Sequence, residues 1–282
     1  MTETAFGPVV ATAWLAERLG EPDLRVLDAT WYLPTLQRDA RAEFRQAHIP
    51  GAVYFDIDLI ADRSRDLPHM LPDAAAFAEA VGGLGIGDGD GVVVYGGKYL
   101  SAAARVWWTF RAFGHERVAV LDGGFPRWRE EGGPVETGEP RPARRRFTAR
   151  FRPELVKALE DVRDNLETRR SQVVDARSVG RFAGTEPEPR PGLRGGHIPG
   201  SLNLPYDRLF AADGRLLPRD DLRRLFEAAQ VDLQRPIVTT CGSGVTACTL
   251  ALGLHLVGRP DVAVYDGSWN EWGVREDLPA ER

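Results

Sequence analysis

Cys241 ends the run Ile237-Val238-Thr239-Thr240 and is followed by Gly242-Ser243-Gly244-Val245-Thr246. An apolar segment carrying Leu250, Leu252, Leu254 and Leu256 comes next. A β-branched run, a glycine-rich turn and an apolar helical segment describe a strand that gives way to a helix. The two glycines let the backbone curl closely around the sulfur, and the unpaired N–H groups at the start of the helix would face it. Oriented N–H groups favour an anion, and the thiolate is the form of cysteine that attacks. The chemistry this implies is nucleophilic sulfur chemistry at Cys241. Cys248 lies seven residues further on, inside the apolar pattern, and reads as a packed core residue.

The elements that position this loop follow from the rest of the chain. Strands are expected at Arg25–Leu27, Val53–Phe55, Val92–Tyr95 and Val118–Leu121, then at Gln172–Asp175, Ser201–Leu204, Ile237–Thr240 and Ala263–Tyr265. Helical periodicity runs over Thr12–Leu19, Ala74–Val81, Ala102–Phe113, Leu155–Arg169, Arg219–Gln230 and Val245–Leu256. Alternating strands and helices predict an α/β fold, with mostly parallel sheets flanked by helices.

The chain also repeats itself. His48-Ile49-Pro50-Gly51-Ala52 returns as His197-Ile198-Pro199-Gly200-Ser201, and Val26-Leu27-Asp28-Ala29 returns as Val173-Val174-Asp175-Ala176. Leu121-Asp122-Gly123-Gly124 returns as Tyr265-Asp266-Gly267-Ser268. Three segments in one order at a nearly constant offset mean a duplicated domain rather than a solenoid. The expected division is a first copy over 1–133, a linker over 134–150 and a second copy over 151–282. The arginine cluster Arg144-Arg145-Arg146 in that linker reads as a solvated connector or a partner for acidic groups. His48 and His197 recur symmetrically and read as structural. The copies differ where it matters: Gly96-Gly97-Lys98-Tyr99 follows the strand in the first, with no cysteine. The first copy is therefore expected to be non-catalytic and to supply a cleft wall.

Composition narrows the class. With 282 residues, 43% hydrophobic and 27% charged, the chain has the make-up of an ordinary globular protein. Its net charge of −5 offers no basic field for nucleic acid. Two cysteines exclude a disulfide-rich scaffold, and no Cys/His spacing suggests a metal site. The N-terminus lacks a signal-peptide pattern, and no run reaches the ~18 apolar residues of a membrane span. A cytoplasmic location with reduced thiols is expected.

These motifs together resemble the two-domain sulfurtransferases of the rhodanese superfamily, most closely the 3-mercaptopyruvate branch. The resemblance runs over nearly the whole chain and rests on the His-Ile-Pro-Gly repeat, the Asp-Gly-Gly and Asp-Gly-Ser-Trp elements and the cysteine loop. It implies two tandem rhodanese-like domains and sulfur transfer through a Cys241 persulfide to a thiol, such as that of a reduced thioredoxin, or to cyanide. No cofactor and no metal are implied. Thiosulfate enzymes carry Cys-Arg-Lys-Gly-Val-Thr, whose cations suit a dianionic donor. The loop Cys241-Gly242-Ser243-Gly244-Val245-Thr246 is uncharged and offers thiosulfate less Coulombic help, while Ser243 can hydrogen-bond a carbonyl. A thiosulfate:cyanide sulfurtransferase is the alternative.

By the same resemblance, Arg181 and Arg190 of Gly180-Arg181-Phe182-Ala183-Gly184-Thr185-Glu186-Pro187-Glu188-Pro189-Arg190 hold the substrate carboxylate, a task suited to forked guanidinium groups. Gly242, Gly244, Val245 and Thr246 of the loop are likewise expected to bind substrate. The resemblance further implies a Ser-His-Asp arrangement of Ser243, His69 and Asp58, the last two from the first domain. Cysteine-dependent phosphatases share the strand-loop-helix logic but need an arginine closing a longer loop, and none occurs before Arg259. A rhodanese-like binding module would typically lack the cysteine that this chain keeps.

Overall fold

The computed structural model describes residues 6–282. Its first sheet takes β1 (Val9–Val10), β2 (Leu24–Asp28), β3 (Val53–Tyr54), β4 (Gly91–Tyr95) and β5 (Val118–Leu121). With them run α1 (Thr12–Ala16), α2 (Ala40–Gln46), α3 (Ala74–Gly83), α4 (Ser101–Ala112) and α5 (Gly124–Glu130). The second takes β6 (Val156–Lys157), β7 (Gln172–Asp175), β8 (Leu202–Asn203), β9 (Ile237–Thr240) and β10 (Ala263–Tyr265). Its helices are α6 (Leu159–Thr168), α7 (Val179–Ala183), α8 (Arg219–Ala228), α9 (Ala247–Leu256) and α10 (Ser268–Trp272).

The strand orders are β1-β5-β4-β2-β3 and β6-β10-β9-β7-β8, so the duplication read from sequence is a duplication of topology. Every pairing is parallel. Parallel strands need helical crossovers and are buried on both faces, which is why β4, β5, β7, β9 and β10 are buried along their whole length. One apolar core gathers Leu15, Val26, Phe44, Val93, Tyr95, Leu121 and Trp128, and the other Val162, Val173, Val238, Tyr265, Trp269 and Trp272.

The repeated motifs do the same work in each copy. The His48 ring stacks on Phe44 at 4.1 Å, with Nδ1 2.8 Å from the Phe44 carbonyl. His197 stacks on Phe182 at 3.6 Å, with Nδ1 again 2.8 Å from the Phe182 carbonyl. Both histidines are structural, as their symmetry suggested. The glycines that follow donate their N–H to Glu136 and Glu281, and the indoles of Trp128 and Trp272 donate to the carbonyls of Pro134 and Pro279.

The compact units do not follow one cut in the chain. The first holds residues up to Asp62, Leu71–Arg152 and Phe210–Leu216; the second holds Arg63–Met70, Pro153–Leu209 and Leu217–Arg282. Residues 134–150, expected as a linker, fasten to the first unit. Arg145 N–H donates to Gly82, the Arg145 guanidinium pairs with Asp90 at 2.7 Å, and Thr148 N–H donates to Asp88. Arg144 pairs with Glu79, so two of the three clustered arginines serve acidic groups.

Several boundaries differ from expectation. The helix expected over Leu155–Arg169 is split into a 3₁₀ turn over Pro153–Leu155, strand β6 and helix α6. The two-residue strands β1 and β6 and the short helices α2, α5, α7 and α10 escape a periodicity reading because none spans two full turns or alternations.

Candidate active site

In the second sheet β9 is central, flanked by β10 and β7. Because all three run parallel, their carboxyl ends reach the same edge. The chain leaves β9 toward β10 on one side and β7 toward β8 on the other. A crevice opens at such a switch point, where ligands of open α/β sheets bind. Cys241 follows β9 there, at 2% exposure, with its sulfur in no disulfide.

The loop around it is held from outside and left open within. Trp269 N–H donates to the Cys241 carbonyl at 3.0 Å and Asn270 N–H to the Gly242 carbonyl at 2.8 Å. The first turn of α10 thus grips the loop backbone. Cys248 donates from its sulfur to the Gly244 carbonyl at 3.1 Å, so the packed cysteine also braces the turn, where Gly244 sits at φ +74°. By contrast, the amide N–H groups of Gly242, Ser243, Val245 and Thr246 have no acceptor among the described residues. The Ser243 hydroxyl likewise has no partner among the described residues. Unpaired donors on a curled loop form a cradle for an anion or a developing negative charge.

The two arginines come from the segment after β7. Ser178 caps α7 by accepting the Arg181 N–H at 3.3 Å, and Gly184, at φ +71°, ends it. This short helix delivers Arg181 onto the loop: a Cβ at Gly242 would lie 2.8 Å from Arg181 Nη2. Arg190 reaches the same residue through a relay. With its amide oriented to satisfy both neighbours, Asn270 accepts from Arg190 Nη1 and donates to the Gly242 carbonyl at 3.1 Å. The structure therefore brings Cys241, Gly242, Arg181 and Arg190 together.

Behind Arg181 lies a buried charge chain that sequence reasoning missed. Glu188 accepts from Arg181 Nε and Nη2 at 3.1 and 2.5 Å and from Arg177 Nη1 at 2.7 Å. Arg177 is forked onto Asp175 at 2.7 to 3.1 Å and lies over the Trp269 ring at 4.5 Å. Both carboxylates and Arg177 are essentially shielded from water, while the Arg181 side chain keeps 24% exposure. Burying these charges is tolerable only because each is paired and hydrogen-bonded. The available signal was the Glu-Pro-Glu-Pro run beside Arg190.

His69 is buried, with a left-handed backbone at φ +61°. It belongs to the segment Arg63–Met70 of the second unit, whereas its place in the sequence suggested the first. Within that unit Arg65 donates to Glu271 of α10 at 2.8 Å, tying the segment to the helix that holds the cysteine loop. Asp58 lies in the first unit, on the turn after β3, and accepts from the Trp31 indole at 2.8 Å. Among the described residues no cluster of three or more His, Cys, Asp or Glu side chains could hold a metal ion. No helix among them is long and apolar enough to cross a membrane.

A doubled five-stranded parallel sheet with a cysteine loop at the end of its central strand defines the class. The chain belongs to the rhodanese-like domain family, which matches residues 11–131 and 158–274. It is 50% identical over 283 residues to the 3-mercaptopyruvate sulfurtransferase of Homo sapiens, covering 97% of this chain and 95% of that protein. It is 48% identical over 277 residues to the thiosulfate sulfurtransferase of Bos taurus, covering 96% and 93%. Among solved structures it matches SseA from Escherichia coli, described as a 3-mercaptopyruvate sulfotransferase, at a TM-score of 0.86 and 38% identity, over 93% of this chain and 98% of that one.

Proposed function

We propose that this protein is a sulfurtransferase that takes sulfur from 3-mercaptopyruvate onto Cys241 and passes it to a thiol or to cyanide. The observation that carries this reading is the convergence of Arg181 and Arg190 on Gly242, the residue next to the cysteine. Two guanidinium groups beside a nucleophilic sulfur suit a donor that bears a carboxylate at one end and sulfur at the other.

In this reading the carboxylate docks on Arg181 and Arg190, and the ketone lies by the Ser243 hydroxyl. The Cys241 thiolate attacks the substrate sulfur. A sulfur–sulfur bond forms, the carbon–sulfur bond breaks, and its electron pair leaves on carbon as the enolate of pyruvate. The enolate needs stabilisation and then one proton, which in this reading the Ser243 hydroxyl gives. His69 and Asp58 take the relay roles that the family resemblance assigns to them. The outer persulfide sulfur rests against the unpaired N–H groups of Gly242, Ser243, Val245 and Thr246. An acceptor thiolate, such as that of a reduced thioredoxin, or cyanide then attacks this sulfur and returns the Cys241 thiolate. A reducing cytoplasm suits a site built on a free thiol.

The neutral Gly-Ser-Gly loop favours mercaptopyruvate over the dianion thiosulfate, the donor named for the bovine relative. Steady-state transfer with both donors, side by side, tests this. A higher kcat/KM for 3-mercaptopyruvate is expected, and a preference for thiosulfate would show that the loop's lack of charge does not set the donor. The Cys241→Ser variant is expected to lose transfer with either donor.

A further inference from the structure

Ser268 opens α10 in a conformation that serine rarely adopts. Its φ is +51°, in the left-handed region where a Cβ is disfavoured, and it has no exposed surface. At the equivalent position the first copy has Gly124, also left-handed at φ +58°, the residue type that suits it. The preceding glycines differ, Gly123 at φ +75° and Gly267 at φ −66°, but the grip on the strand end is shared. Phe125 N–H donates to the Gly96 carbonyl at 3.0 Å, as Trp269 N–H donates to the Cys241 carbonyl at 3.0 Å. A glycine would therefore complete the turn in the second copy as well, and the serine sits there against the backbone preference.

The hydroxyl is fully engaged. Ser268 Oγ accepts the Cys241 N–H at 3.2 Å and the Thr240 hydroxyl at 3.3 Å, and it donates to the Tyr265 carbonyl at 2.8 Å. It joins the end of β10 to the end of β9 at the nucleophile itself. The Cys241 amide is buried, and without this oxygen it would be an orphaned donor. Together with the grip of Trp269 on the Cys241 carbonyl, α10 holds both ends of the nucleophile's own peptide framework. In the first copy, where no cysteine stands at the strand end, the hydroxyl is missing too.

We infer that Ser268 is a positioning residue for sulfur transfer: its hydroxyl fixes the backbone of Cys241 and so aims the sulfur, at the expense of a strained backbone. This inference rests on Cys241 being the nucleophile. Its effect belongs to the chemical step, because Arg181 and Arg190, which are assigned to the substrate carboxylate, make no contact with the Ser268 hydroxyl.

The test uses Ser268→Gly and Ser268→Ala, with Cys241→Ser alongside. Glycine suits φ +51° and stands at the equivalent position of the first copy, so Ser268→Gly is expected to fold, with a higher Tm than Ser268→Ala, which loses the same hydroxyl and keeps the strain. Both Ser268 variants are expected to lower kcat for 3-mercaptopyruvate about 10- to 100-fold, the scale of loss from a misplaced reacting group. KM should stay within about twofold, and alkylation of Cys241 by iodoacetamide should slow in parallel with kcat. Wild-type kcat and alkylation rate in Ser268→Gly would overturn the positioning role while leaving Cys241 as nucleophile. A raised KM with kcat intact would also overturn it. Turnover surviving in Cys241→Ser would instead remove the nucleophile assignment and this inference with it.

Discussion

The Arg181 guanidinium packs against the bare Cα of Gly242, so closely that a methyl group there would sit 2.8 Å from Nη2. Arg181 is not free to retreat, because Glu188 holds it by two hydrogen bonds. The uncharged loop and Arg181 are therefore packed as one arrangement. Gly242→Ala is expected to raise KM for 3-mercaptopyruvate by about 10-fold, as one charge-assisted contact is displaced, with a smaller effect on kcat. Steady-state kinetics check it: an unchanged KM would mean that Arg181 moves aside without loss.

Glu188 carries the second prediction. Its carboxylate is shared between Arg177 and Arg181, and replacing it by glutamine leaves the buried Arg177 with Asp175 as its one remaining carboxylate. Removing one partner of a buried ion pair costs about 3–5 kcal/mol. Glu188→Gln is therefore expected to lower Tm by roughly 6–20 °C, at about 2–4 °C per kcal/mol for a unit of this size. Calorimetry reads the first effect, and a raised KM for the donor reads the loosened Arg181.

The Ser243 hydroxyl, which has no partner among the described residues, supplies a third. If it protonates the departing enolate, Ser243→Ala should lower kcat about 100-fold, within the range of general acid catalysis. Binding of the carboxylate should be little changed. Rapid-quench measurement of pyruvate release locates the loss, and a normal burst of pyruvate would place Ser243 outside the carbon–sulfur cleavage step.

A fourth concerns stability and pH. His115 is buried between the rings of Phe110, at 5.5 Å, and Phe147, at 5.4 Å, and burial pushes its pKa below the ordinary 6.5. The unfolded chain therefore takes up this proton before the folded one does. Stability from His115 is complete above pH 6.5 and is lost as pH falls toward the lowered folded value. His115→Phe should flatten the acid side of the Tm-against-pH curve below pH 6.5. Parallel curves for the two proteins would rule out His115 as the source.

Much of this architecture was legible in the sequence, for identifiable reasons. Val118–Leu121, Gln172–Asp175, Ile237–Thr240 and Ala263–Tyr265 stand where their apolar runs placed them, because strands buried on both faces leave continuous apolar signatures. The place of Cys241 at the end of a strand was legible because its signal, a β-branched run and a glycine-rich turn, is local, whereas Arg181 and Arg190 were drawn from the family resemblance. The helix that holds the loop was not. Helix α10 is five residues long and starts on a left-handed residue directly after a strand, so it has no periodicity to read. Its contact with Cys241 exists only because β10 lies beside β9, a pairing that no spacing along the chain reveals. One local clue was present: serine stands at position 268 where the first repeat has glycine at 124. The pairing of Glu188 with Arg177 and Arg181 likewise depends on a fold-back that its Glu-Pro-Glu-Pro setting does not specify.

The stretch Arg63–Met70 gives the molecule an unusual inheritance. The unit that carries Cys241 includes eight residues encoded in the other repeat, and the first unit includes Phe210–Leu216 from the second. Neither half of the gene encodes a whole unit. A fragment starting at Pro153 would carry Cys241, Arg181 and Arg190 yet lack His69 and the Arg65 tether to Glu271. The boundary of the compact unit thus differs from the boundary of the repeat, and a fragment that keeps the second repeat alone leaves out a piece of the unit that the first repeat supplies.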